Sequence, residues 1–178
     1  MRTSGGTWKP GCASRPATSP LSALPRVTET TRERISREFD NLGPDACVMD
    51  IAAAMRGHNP ELLDMAQRCA ADLGAEQEPM VGLAMFYRLL VAEAAAELAL
   101  PRVSPATRDA IVREIEEKGA EGFTFEALDE MERANPELLQ MAHGFASRQR
   151  SYLGMMQGFA LMYAALSAQS AADRAGMH

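Results

Sequence analysis

The side chains able to bind a metal or act as nucleophiles are few and scattered. Histidines stand at His58, His143 and His178, and cysteines at Cys12, Cys47 and Cys69. No two cysteines form a CxxC pair, and no histidine lies at the spacing from them that a structural zinc site requires. The sequence has no GxSxG, phosphate-binding glycine loop, GxGxxG or HExxH motif. Glu114, Glu116, Glu117, Glu126, Asp129, Glu130 and Glu132 are numerous enough for a carboxylate-bridged diiron bundle. That chemistry also needs Glu-x-x-His pairs pointing inward, and none occurs, so the acids read as a solvated helix face. The expectation is a chain without metal, without cofactor and without catalytic activity.

Two other groups of residues invite a functional reading. Arg32, Arg37 and Glu38 recur 76 positions later as Arg108, Arg113 and Glu114. Either they form salt bridges that fix one helix against its neighbours, or they receive an anion or an acidic partner. The absence of a glycine loop beside them favours the salt bridges. Met155, Phe159 and Met162, followed by Tyr163, are spaced by four and three residues and share one helical stripe. The stretch from Ser151 to Ala172 carries no charge, whereas the first copy of this helix keeps Arg88, Glu93 and Glu97. Because charge is compatible with the first version of this helix, its loss in the second predicts a surface for a protein partner, a second copy of the chain or a ligand. Gly154 and Gly158 make a GxxxG in a segment long enough to span a bilayer. Gln157, Gln169, Ser151, Ser167 and Ser170 make it too polar for that role.

The elements that carry these residues follow from an internal repeat. Shifting the sequence by 76 aligns Leu24–Ala99 with Leu100–Ala175 without a gap, and 28 of the 76 positions are identical. Leu-Pro-Arg-Val opens both stretches, at Leu24 and Leu100, and Asn-Pro-Glu-Leu-Leu recurs at Asn59 and Asn135. Seven identities are alanines, but the rest far exceed the roughly one in sixteen expected by composition, so the register predicts a tandem duplication. Each unit divides into four helical segments. Segment A starts after Thr28 or Ser104, whose hydroxyl can cap the first turn, and ends at Gly43 or Gly119. Segment B covers Ala46–Arg56 and Thr124–Arg133, with Thr124 as a cap. Segment C begins at Pro60 or Pro136 behind a capping asparagine. Segment D spans Pro79 to about Leu98 and about Tyr152 to Ala172, and is apolar around much of its circumference.

Hydrophobic residues make up 47% of the 178-residue chain but aromatics only 6%, and Ala, Leu and Met dominate. That balance suits helices rather than pleated sheets. The expected architecture is an all-α bundle: residues 1–23 form a disordered arm rich in Ser, Thr, Pro and Gly, while units 24–99 and 100–175 share one core. The net charge is −6, and because residues 1–23 carry Arg2, Lys9 and Arg15 without an acid, the remainder carries −9. Such a body would be repelled by phosphate backbones and anionic membranes, which argues against a nucleic-acid or membrane partner. An odd number of unpaired cysteines and no signal-peptide core point to the cytoplasm. The function expected is a non-catalytic protein-interaction module, a regulator or assembly factor, presenting a groove between its halves. The rival is a carrier of a small apolar ligand held between the segment D helices.

Overall fold

A computed structural model describes residues 24–72, 78–94 and 100–176, so the arm expected at residues 1–23 lies outside the described residues. Every regular element described is helical: α1 (Glu29–Leu42), α2 (Pro44–His58), α3 (Pro60–Asp72), α4 (Glu78–Ala94), α5 (Pro105–Ala134), α6 (Pro136–Ala146) and α7 (Tyr152–Gly176). The Thr28 hydroxyl accepts from the Thr31 amide and the Ser104 hydroxyl from the Thr107 amide, so both expected caps form. α1 and α2 are separated by Gly43 at φ 80°, ψ 149°, and α5 bends at Gly119, with φ 75°, ψ 156°. A β-carbon at either φ would crowd the following carbonyl, so glycine alone adopts this turn cheaply.

Segment B differs from expectation. α2 starts at Pro44, and α5 resumes its helix directly after Gly119, so Thr124 lies inside a helix and caps nothing. Its hydroxyl donates instead to the Ala120 carbonyl at 2.7 Å, one turn back. Segment C starts at Pro60 and Pro136 as the proline position requires. Asn135 caps its helix through the Leu138 amide, but Asn59 does not. The Asn59 side chain donates to the Pro101 carbonyl and accepts from the Val103 amide, both at 2.9 Å. α4 is described to Ala94, and the expected continuation to Leu98 lies outside the described residues.

α4 and α7 cross at the centre, and the crossing is a backbone contact. A β-carbon on Gly82 would overlap the Met155 carbonyl, and one on Gly158 would overlap the Pro79 carbonyl and sit 2.6 Å from the Leu83 nitrogen. Pro79 and Met155 are themselves 76 residues apart, so the two contacts are reciprocal. Beside the crossing, Phe159 meets Phe86 edge to face, ring centres 5.3 Å apart and planes at 76°. α1 and α2 pack on α4, α5 and α6 pack on α7, and one contiguous cluster of buried apolar side chains runs through all of them. Burying each large apolar side chain contributes about 1.5–3 kcal/mol, against roughly 0–1 kcal/mol for an exposed ion pair such as Arg37–Glu33. Core burial therefore sets the arrangement, and ion pairs trim it.

Polar ties repeat across the crossing with small changes. The Thr28 amide and hydroxyl both donate to Glu93 Oε1, at 3.1 and 2.6 Å. The Ser104 amide and Thr107 hydroxyl donate to Gln169 Oε1, at 2.8 and 2.7 Å. Residues 93 and 169 occupy equivalent positions of α4 and α7, so each central helix braces the start of an outer one.

Candidate functional site

The apolar stripe expected to meet a partner is interior. Met155, Phe159, Met162 and Tyr163 are 0–1% exposed. The reason is geometric: α7 is covered by α4 at the glycine crossing and by α5 and α6 on other sides, so its missing charges reflect enclosure. α4 tolerates Arg88 because that residue lies at the margin of the bundle, where its guanidinium pairs with Glu38 at 3.0 and 3.2 Å.

The recurring charges occupy equivalent positions on α1 and α5 but do not make one network. Arg32 pairs with Glu29 at 3.1 Å and Arg37 with Glu33 at 3.3 Å, both within α1 and exposed. Glu38 reaches α4 through Arg88, whereas Glu114 stays on α5 and takes the Lys118 ammonium at 2.7 Å. Arg108 crosses to α3 and meets Glu61 at 2.5 Å, with Asp64 at 3.5 Å and its neighbour Asp109 at 2.7 Å. Arg113 lies exposed on α5 and joins none of these ties.

This divergence opens a groove. Arg108 draws α5 onto α3, while Arg32, the same residue 76 positions earlier, turns back along its own helix. Its potential partner Glu137, equivalent to Glu61, is held by the Arg26 guanidinium in a fork of two nitrogens, with Nε to Oε2 at 2.8 Å. That pairing keeps the Glu137 carboxyl below its usual range, chiefly through the hydrogen bonds from Arg26. Between α1 and α6 a cleft of about 410 Å³ remains, lined by Arg32, Ser36 and Arg37 on one side and by Met141, Phe145 and Arg148 on the other. Glu33 and Asp40 also face it, so the cleft has three guanidinium groups and two carboxylates over an apolar floor. Recurrence in the sequence marks Arg32 and Arg37. It does not mark Phe145 or Arg148, although Arg148 stands where the equivalent position has an acid, Asp72.

Other reactive side chains do not converge. His143 Nδ1 contacts the Tyr152 hydroxyl, and the two rings stack with centres 5.8 Å apart and planes within 8°. The Cys47 and Cys69 side chains are buried, and burial raises the Cys47 pKa, with Glu38 and Asp50 adding to the shift, so that site resists thiolate formation. Among the described residues no group of three or more His, Cys, Asp or Glu is placed to hold a metal ion, and no helix is long and apolar enough to cross a membrane. Comparison with protein-family models, curated proteins and solved structures finds no match for the chain.

Proposed function

We propose that the chain is a tandem duplication of a helical unit and works as a protein-interaction module, a regulator or assembly factor, that receives a partner in the groove between α1 and α6. The observation that carries this reading is the open groove itself. α1 belongs to the first unit and α6 to the second, and the equivalent junction of α3 with α5 is drawn together by Arg108. A volume of about 410 Å³ falls in the usual range for a binding cleft, about 300–1,000 Å³. Three arginines over Met141 and Phe145 suit an acidic segment with an apolar anchor, because guanidinium forks bind carboxylates bidentately and aromatic floors supply contact area. The partner is a protein or a second copy of the chain, and the reading puts both in the cytoplasm, where thiols stay reduced.

A carrier of a small apolar ligand is the second reading. It has one observation behind it, a cavity of about 230 Å³ walled by Cys69, Pro79, Ile115, Phe123 and Leu161. That volume lies below the usual ligand range, so the groove is favoured.

Native mass spectrometry of the full chain purified from its own host tests the proposal. At low salt the wild type should retain a stoichiometric protein partner or dimerise, and about 1 M salt, where the screening length is about 3 Å, should release it. The Arg37→Glu, Arg148→Glu double variant should melt like wild type and retain nothing. A wild-type chain found alone at low salt, or a partner held equally by the double variant, overturns the reading.

A further inference from the structure

Apart from that groove, a cleft of about 220 Å³ lies between α5 and α7, lined by Glu114, Phe123, Glu126, Glu130, Ala164 and Ser167. A cleft of about 260 Å³ between α1, α2 and α4 is lined by Glu38, Cys47, Asp50, Ala54, Arg88 and Val91. Each of these six residues stands 76 positions before one of the others, so the two clefts are equivalent places. Their chemistry has diverged in one direction. The cleft between α1, α2 and α4, the first in sequence order, contains its own cation, the Arg88 guanidinium, forked onto Glu38. The second has Ala164 in that place and one more carboxylate, Glu130, where the first has Ala54. Lys118 bridges Glu114 and Glu126 at 2.7 and 2.5 Å, which leaves Glu130 outside that bridge.

A second observation marks the wall of this cleft. Ser167, which lines it, is 8% exposed, and Tyr163, one helical turn earlier on α7 and behind the lining, is 1% exposed; neither hydroxyl has a hydrogen-bond partner among the described residues. Buried polar groups are nearly always paired, and leaving one unpaired is costly, so two adjacent orphans beside an excess carboxylate indicate a missing donor. Burial, and then the Glu130 carboxylate, raise the Tyr163 pKa, so this hydroxyl stays protonated with its oxygen lone pairs available.

We propose that the cleft between α5 and α7 binds an organic cation, a guanidinium on a short alkyl chain, which occupies the place that the Arg88 side chain fills in the first cleft. Its nitrogens donate to Glu130 and Glu114 and to the Ser167 hydroxyl, and its alkyl chain lies against Phe123 and Ala164. The first cleft sets the geometry, since a guanidinium there meets its glutamate through two nitrogens. Two sources supply this chemistry: a free alkylguanidinium, or an arginine side chain of a partner. The inference rests on the residues of this cleft and is independent of the α1–α6 groove.

Amide-resolved NMR titration of the full chain with butylguanidinium tests it, with neutral butylurea as the control of equal shape. Saturable shifts centred on Glu130, Ser167 and Ala168 are expected, with butylurea at least tenfold weaker. Glu130→Gln should weaken binding about tenfold or more, and Ala164→Arg should abolish it by supplying the cation from within. Should Ala164→Arg not fold, Ser167→Val carries the same test, with weaker binding expected. A capped tripeptide with a central arginine that binds tenfold tighter than butylguanidinium identifies a partner's side chain as the source, and the reverse order identifies a free cation. Absence of saturable shifts, equal binding of butylurea, or binding unchanged by Glu130→Gln and by the second variant overturns the proposal.

Discussion

Gly82 and Gly158 face each other where α4 crosses α7, so closely that a β-carbon on Gly158 would lie 3.0 Å from the Gly82 α-carbon and 2.6 Å from the Leu83 nitrogen. The obstructing atoms are backbone and cannot rotate away. Gly158→Ala and Gly82→Ala should therefore each destabilise the chain by about 3 kcal/mol, the upper end of overpacking costs, or roughly 6–12 °C in melting temperature. Gly57→Ala is the control, because nothing lies within 4 Å of its β-carbon position and alanine favours helix. Thermal unfolding by circular dichroism compares the three, and a Gly158→Ala chain melting like Gly57→Ala would mean that the helices do not touch at this point.

The interior position of the α7 stripe makes a different demand. Phe159 is fully buried against Phe86, so Phe159→Ala should cost about 3–5 kcal/mol through lost burial and a residual cavity. Met162→Glu would bury an unpaired carboxylate, which proteins tolerate poorly, and should leave the chain largely unfolded. Denaturant unfolding together with solution mass checks both. A folded, soluble Met162→Glu chain with an altered oligomeric state would return the stripe to the surface.

Glu93 should contribute a pH-dependent share of stability. Its carboxyl lies below the ordinary value of 4.5, first because the Thr28 hydroxyl donates to it and then through Thr31. A depressed folded-state pKa stabilises well above pH 4.5, and that contribution is lost as pH falls through the lower folded value. Solvent screening keeps it to about 1 kcal/mol or less. Glu93→Gln should flatten the acid limb of melting temperature between pH 3 and 5 and cost no more than about 1 kcal/mol at neutral pH, since Gln169 makes the same brace with an amide oxygen. An acid limb unchanged by Glu93→Gln would show that another carboxylate sets it.

Much of the helix plan is readable from local chemistry, and the packing partners are not. Thr28 and Ser104 as caps, Pro60 and Pro136 as first residues, and Gly43 and Gly119 as breaks act within a few bonds of themselves, so their types suffice. The stripe of Met155, Phe159 and Met162 has the right period, but period says which residues share a face and not what covers it. Gly82 and Gly158 carried the missing signal, since small residues at equivalent places on two apolar helices permit the approach that encloses the stripe. The groove was hidden for another reason. Arg32 and Arg108 are the same residue in the same local setting, and they part ways because Arg26 captures Glu137, a carboxylate 111 residues further along the sequence.

Asn59 and Asn135 open identical Asn-Pro-Glu-Leu-Leu motifs and should nonetheless differ in cost when replaced. Asn135 does ordinary capping work at the Leu138 amide, so Asn135→Ala should cost about 1 kcal/mol. Asn59 is 2% exposed and holds both the Pro101 carbonyl and the Val103 amide, in the connection that leads into α5. Removing it strands a buried amide at Val103, itself 1% exposed, and a carbonyl, each a penalty of about 1–3 kcal/mol. Asn59→Ala should therefore cost roughly 2–5 kcal/mol, clearly more than its counterpart. Asn59→Asp keeps the acceptor for Val103 but sets a carboxylate oxygen against the Pro101 carbonyl, so it should recover little. Urea unfolding of the three variants at pH 7 decides, and equal costs for Asn59→Ala and Asn135→Ala would show that the Asn59 ties contribute nothing beyond a cap.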